Sequence, residues 1–238
     1  MEKMKYIASV SFGKDSLAML LKIIEEKMPL DEVVFYDTGM EFKAIYETRD
    51  RIKEILSELK IPFKQLEPEK PFEWFMFEKE VKGRNGVHFG YSWCGGVCRW
   101  GTTAKMKAID EYCGKNIQYI GIASDEPQRI EKERKPEKIL PLVDWKMTEE
   151  DCLRYCYEKG FYWEENGFRL YDILDRVSCW CCANKNLKEL RNYKQKLPEY
   201  WERLKEFQKR TDKPFKGIGV FELDGRFEKE GKQECLKI

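Results

Sequence analysis

Ser11-Phe12-Gly13-Lys14-Asp15-Ser16 is the stretch whose reading decides the fold. Before it stands Tyr6-Ile7-Ala8-Ser9-Val10, a short apolar run rich in strand formers. After it, Leu17, Leu20, Leu21 and Ile24 recur at helical spacing, and the helix they predict ends near Lys27, ahead of Pro29. The six residues therefore join a buried strand to a helix. Backbone N–H groups at such a helix start, with the helix dipole behind them, favour an anion. Gly13 permits close approach of the chain to a phosphate. Ser11 and Ser16 offer hydroxyls, Lys14 offers a neutralising charge, and Asp15 suits either a metal ion or a helix cap. The spacing alone also fits an ordinary strand–turn–helix joint.

The pattern repeats outward. Val33-Val34-Phe35-Tyr36 reads as a second buried strand, closed by Asp37-Thr38-Gly39. Ile45, Ile52, Ile55, Leu56 and Leu59 mark a second helix, stopped by Pro62, and Phe63 to Leu66 a third strand. Alternation of this kind predicts a parallel sheet with helical crossovers. Residues 67–100 are irregular and dense in aromatics, and read as an excursion over the sheet face. Helix resumes over 102–112, strand over 117–122, and a short strand over 139–142. Thr148-Glu149-Glu150-Asp151 is a capping signature that opens a helix reaching Lys159. Helices also fit 186–196 and 198–210, and the last 25 or so residues read as a mobile tail.

Composition narrows the chemistry. The 238 residues carry 44 Lys and Arg against 43 Asp and Glu, so no global field draws the chain onto nucleic acid. No apolar run approaches the ~18 residues of a spanning helix, and the start, Met1 to Lys5, lacks a signal h-region. A cytoplasmic protein with no membrane partner is expected. His88, the single histidine, argues against a Ser-His-Asp triad and against His-rich metal sites. Nine cysteines in such a chain favour metal binding or thiol chemistry over disulfides.

Cys94-Gly95-Gly96-Val97-Cys98 and Cys179-Trp180-Cys181-Cys182 are two clusters separated by a long segment. Cys94, Cys98, Cys179 and Cys182 can supply four thiolates to one site, with Cys181 a spare or a replacement ligand. Four thiolates suit iron–sulfur or Zn2+ alike. Cys113, Cys152 and Cys156 read as buried small hydrophobes, the last two i, i+4 on one helix face.

The motifs together resemble the PP-loop adenine-nucleotide α-hydrolase superfamily, whose loop reads S-G/F-G-x-D-S after the first strand. Asp37-Thr38-Gly39 and Gly121-Ile122-Ala123-Ser124-Asp125-Glu126, with Arg129 and then Leu140-Pro141-Leu142-Val143-Asp144-Trp145, resemble the phosphoadenosine phosphosulfate (PAPS) reductase branch. Ala123 stands where that branch usually has arginine. The resemblance covers about residues 5–185 and implies a doubly wound, mostly parallel, Rossmann-like α/β sheet, with a helical C-terminal part. The expected organisation is a nucleotide-binding domain over 1–183, a helical hairpin over 184–212 and a tail over 213–238.

The resemblance further implies that Ser11, Phe12, Gly13, Lys14, Asp15 and Ser16 cradle the phosphates of an adenine nucleotide. Asp37 and Thr38 would lie near the nucleotide, and Arg129 would face the phosphates. Lys14 and Asp15 would act in catalysis at the α-phosphoryl group, usually with Mg2+. ATP is favoured over adenylyl sulfate or PAPS because the loop keeps Lys14, Asp15 and Ser16. The cysteine spacing is similar to the adenylyl-sulfate reductase pattern, which implies a [4Fe–4S] cluster, with Zn2+ the alternative. The end of the chain, Asp224-Gly225-Arg226-Phe227 to Lys232-Gln233-Glu234-Cys235, resembles the reductases' segment whose cysteine attacks sulfate sulfur. Cys235 is thus the nucleophile of an alternative, sulfite-forming reading that needs thioredoxin. In the ATP reading, a sulfur donor protein and an acceptor such as tRNA or DNA are the expected partners. Residues 184–213 carry ten Lys and Arg against five Asp and Glu, with aromatics interleaved, which fits either phosphate contact or a solvated hairpin. A non-catalytic nucleotide- and metal-binding module is a further alternative.

Overall fold

The computed structural model describes residues 4–83, 86–93 and 98–235, for Trp100 and residues 233–235 the backbone only. In chain order the elements are β1 Tyr6–Ser9, α1 Lys14–Glu25, β2 Glu32–Tyr36, α2 Lys43–Glu58, β3 Phe63–Leu66, β4 Glu80–Gly83 and β5 Gly86–Phe89. Then follow α3 Ala104–Cys113, β6 Ile117–Ile120, α4 Pro127–Glu133, β7 Lys138–Ile139, α5 Pro141–Asp144 and α6 Glu149–Glu158. The chain closes with β8 Glu164–Glu165, β9 Phe168–Arg169, α7 Leu170–Ile173, α8 Leu187–Lys196, α9 Pro198–Lys209 and α10 Val220–Cys235. Two single π-helical turns, Trp74–Glu78 and Arg99–Thr103, complete it.

These elements form two compact units. The first holds residues 1–68 and 104–163, the second residues 69–103 and 164–238. The first is built on a five-stranded, all-parallel sheet in the order β3-β2-β1-β6-β7. The chain runs outward from β1 through β2 to β3, then returns to the other side of β1 with β6. The β1/β6 boundary is thus the switch point, where open α/β sheets bind ligands beyond the strands' carboxyl ends. The near-continuous apolar runs of β1 and β2 suit a sheet covered on both faces. Ile7, Val34 and Tyr36 pack with Ile109 and Cys113 of α3. The helix α2 turns Ala44, Ile45, Thr48, Ile52 and Leu56 inward, a helical stripe, and α1 packs along α6.

Several expectations shift locally. The strand read over 139–142 is only Lys138–Ile139. Pro141 then starts the short helix α5, as its fixed φ allows at a first helical position. The capping signature at Thr148 holds, with Thr148 and Asp151 bonding each other's backbone N–H reciprocally. The aromatic stretch after residue 67 forms a π-turn and the β4–β5 hairpin, and it packs within the second unit. There Phe77 lies 5.3 Å from Phe207, and Trp93 lies 4.6 Å from Phe215. Trp180 and Trp201 sit among the last helices, against Phe207 and Phe227 at 5.1 and 5.7 Å.

The expected tail of 213–238 holds the 16-residue helix α10. Val220, Leu223 and Phe227 are buried at helical spacing, which supplies the apolar stripe that an isolated Gly- and Lys-rich segment lacks. Residues 236–238 lie outside the description. No helix among the described residues is long and apolar enough to cross a membrane.

Candidate functional site

The β1–α1 corner departs from its sequence reading in one respect. The left-handed residue of the loop is Phe12, with φ 59°, whereas Gly13 is extended at φ −78°. A bulky residue in that region costs ~1–3 kcal/mol. The Phe12 ring is fully buried, 5.1 Å from Phe35 and 6.2 Å from Phe63, and burial of such a ring contributes ~1.5–3 kcal/mol, enough to offset the strain. The Phe12 carbonyl accepts a hydrogen bond from buried Trp163 Nε1 at 2.8 Å. Phe12 is therefore the anchor that bends the loop, and its side chain points to the core. Trp163 was invisible as a site residue, since nothing local links it to a loop 151 residues earlier.

Beyond Phe12 the loop folds on its own hydroxyls. Ser11 N–H donates to Ser16 Oγ at 3.1 Å, the two hydroxyls lie 3.0 Å apart, and Ser16 Oγ donates to Gly13 O at 3.2 Å. Gly13 is the N-cap of α1 and supplies no side-chain cap to the helix amides. Just past the end of the neighbouring strand β6, Gly121 presses on this first turn. A Cβ there would stand 2.7 Å from Ser16 Cα and 2.9 Å from Ser16 N, so only glycine leaves the turn its place.

Lys14 lies at the mouth, with its Nζ 3.0 Å from Asp15 Oδ1 and 2.6 Å from Glu149 Oε2. Burial alone would lower its pKa, but Asp15 and Glu149 overcome this and hold the ammonium charged, above its usual range. Burial raises the Asp15 carboxyl. Lys14 opposes the rise, and the charges of Glu149 and Glu126 add to it. The sequence reading missed Glu149, because its partner lies 135 residues away.

The other expected nucleotide residues are engaged within the first unit. Asp37 accepts from Tyr46 OH and from Gly39 N–H, each at 2.8 Å, so its carboxylate braces the turn after β2. Thr38 is buried, donates to Glu41 and accepts from Met40 N–H. Arg129 donates to both oxygens of Glu126 at 2.7 Å. Ala123 is fully buried.

The cysteine clusters fall in the second unit. Cys94 lies outside the described residues. Cys98 Sγ accepts the Gly101 N–H at 3.0 Å, and a Cβ on Gly101 would meet that sulfur at 2.9 Å. Cys179 and Cys182 close a turn, Cys182 N–H donating to Cys179 O at 3.1 Å. Cys181 is buried, and burial first, then the charges of Cys179 and Cys182, push its thiol well above the ordinary range. Trp180 Nε1 is a buried donor with no acceptor among the described residues. Lys185 is buried, donates to Arg176 O at 2.9 Å and stands 3.8 Å from Glu189.

Among the described residues no three His, Cys, Asp or Glu side chains gather into a metal-holding group. The donor chemistry nevertheless suits a thiolate-bound centre: an N–H to sulfur bond at Cys98, an orphaned indole N–H at Trp180 and the buried Lys185, all in the second unit. Cys113, Cys152 and Cys156 are buried, as expected for small hydrophobes. The basic stretch 184–213 is largely neutralised: Lys185, Arg191, Lys194, Lys205, Lys209 and Arg210 each lie within ion-pair distance of a carboxylate. That fits the packed hairpin better than an open phosphate face.

Comparison with known proteins matches residues 5–182 to the family described as the phosphoadenosine phosphosulfate reductase domain. The uncharacterized protein MJ0066 of Methanocaldococcus jannaschii is 27% identical over 226 residues, covering 85% of this chain and 41% of that protein. The chain thus spans less than half of that relative, and 47% of MJ0973 from the same organism. An adenosine 5'-phosphosulfate reductase of Staphylococcus epidermidis is 24% identical over 188 residues, covering 73% of this chain and 69% of that enzyme. Among solved structures, the U34-tRNA thiolase NcsA from Methanococcus maripaludis with its [4Fe-4S] cluster aligns at a TM-score of 0.41 and 16% identity. That alignment covers 87% of this chain and 72% of that one.

Proposed function

The chain belongs to the phosphoadenosine phosphosulfate reductase domain family, and from that premise we propose that it binds ATP or a related adenylyl nucleotide and acts at the α-phosphoryl group in sulfur transfer. The observation that carries this reading is the β1–α1 corner: an uncapped helix start at the sheet's switch point, with Lys14 at its mouth. In the reaction, an acceptor oxygen bonds to the α-phosphorus while the bond to the bridging oxygen breaks and pyrophosphate leaves. Sulfur then displaces AMP from the adenylylated acceptor.

The amides of the first turn of α1 hold the departing pyrophosphate, and Lys14 neutralises charge that develops on it. Asp15 sits where it can hold Mg2+, which when bound supplies further charge neutralisation. Cys98, Cys179 and Cys182, with Cys94, would hold the metal centre; a [4Fe–4S] cluster bound there supplies redox or sulfur-binding chemistry. The acceptor in this reading is a nucleic acid base or backbone.

The staphylococcal relative favours a second reading. There Cys235 attacks the sulfur of adenylyl sulfate, AMP leaves with the bridging oxygen, and thioredoxin releases sulfite from the S-sulfonated cysteine. The Cys235 side chain lies outside the described residues; its backbone is the last residue of α10. Anaerobic protein offered each substrate separates the two. Pyrophosphate from ATP in the presence of acceptor, with no sulfite from adenylyl sulfate, supports the first. Sulfite release that Cys235→Ser abolishes supports the second. ATP binding with neither product returns the chain to a non-catalytic module.

A further inference from the structure

Lys14 already has an anion. Its ammonium is mostly covered and lies 2.6 Å from Glu149 Oε2, closer than from its neighbour Asp15. Glu149 is the first residue of α6, and its position is fixed three ways. Its own N–H donates to Asp125 Oδ1 at 3.1 Å. The Thr148–Asp151 capping box sets the start of α6. Further along, Cys156 Sγ reaches Lys14 O at 3.4 Å and ties the two helices together. The other cation near the corner, Arg129, is clasped by Glu126. Three carboxylates, Asp15, Glu126 and Glu149, thus pair with two cations at a corner suited to anions.

We propose that Glu149 is an internal stand-in for phosphate on Lys14, so that nucleotide binding is an exchange of carboxylate for phosphate. The inference rests on the nucleotide reading above. It makes Glu149 a specificity-determining residue: a ligand must bring enough phosphate charge to displace it, which favours a polyphosphate chain over a monophosphate. The half-exposed Glu149 side chain is able to swing into solvent once replaced, whereas mostly buried Asp15 stays beside the ammonium.

The test is calorimetric titration of the full chain with ATP and with AMP in chelator, comparing wild type, Glu149→Gln and Glu150→Gln. The Glu150 variant makes the same charge change on the exposed neighbouring position. Glu149→Gln is expected to tighten ATP by roughly five- to tenfold and AMP by less. Glu150→Gln should leave both within about twofold. Thermal melts check that each variant folds. Wild-type binding with Glu149→Gln no tighter than Glu150→Gln overturns the exchange alone. No binding by any of the proteins overturns the nucleotide reading and the exchange with it.

Discussion

Asp15 shows how much a single side chain gives up for its position. Burial raises its carboxyl pKa, and Lys14 beside it does not cancel the rise. An acid raised in this way binds its proton more tightly folded than unfolded. Its stabilising contribution is therefore present below the unfolded value and is lost as pH rises through the folded one. Near neutral pH, ionised Asp15 is a cost to the fold. Asp15→Asn should raise the melting midpoint at about pH 7, by roughly 2–4 °C for each kcal/mol recovered, with the gain shrinking toward about pH 4. The same variant should lose nucleotide turnover. Scanning calorimetry across pH checks it, and a midpoint that falls at neutral pH would show that the pairing with Lys14 outweighs burial.

Single residues also mark what was legible beforehand. The Ser11–Ser16 signature and the Thr148 capping box depend on neighbours within about one helical turn, and the thiols of α6 announce themselves by their i, i+4 spacing on one face; all three stood in the sequence. The left-handed Phe12 did not, because its strain is balanced by Phe35, Phe63 and Trp163, which the chain brings in from far away. Glu149 was hidden for the same reason.

At the level of elements, β6 and α1 meet through Gly121. Gly121→Ala places a methyl group against backbone atoms that have no room to yield. The expected result is a loss of roughly 1–3 kcal/mol of stability, with nucleotide binding weakened well beyond the loss in folding. Chemical denaturation beside a binding titration separates the two. The stripe on α6 gives a second check. Burial pushes Cys152 to about 12, and Cys113 of α3 to about 11; Cys156 rises for the same reason. An alkylating agent at about pH 8 should leave all three unlabelled in the folded protein, since almost no thiolate is present. Peptide mass spectrometry showing rapid labelling of Cys152 would contradict the packing of α6 on α1. The helix α10 was misread because half of its residues are charged and two are glycines, and only packing in the second unit selects Val220, Leu223 and Phe227 as a face.

For the whole molecule, family and fold agree: a five-stranded parallel sheet whose switch point carries the loop, and a family match that spans most of the chain. The proposed metal centre draws Cys98, Cys179 and Cys182 from the second unit, and its test is compositional. In anaerobically prepared protein, Cys179→Ser and Cys98→Ser should lose most bound metal, whereas Cys181→Ala, which removes a buried protonated thiol, should keep it. Iron and zinc analysis decides, and metal retained in all three variants would remove these cysteines from the site.

The claim on which the rest depends is that the amides of the β1–α1 corner grip the phosphate chain. Backbone amide resonances of the full chain, followed during titration with ATP, test it most directly. The largest shifts are expected on residues 13–16 and on Gly121. Saturable binding that leaves those amides unmoved, or no binding at all, would contradict it.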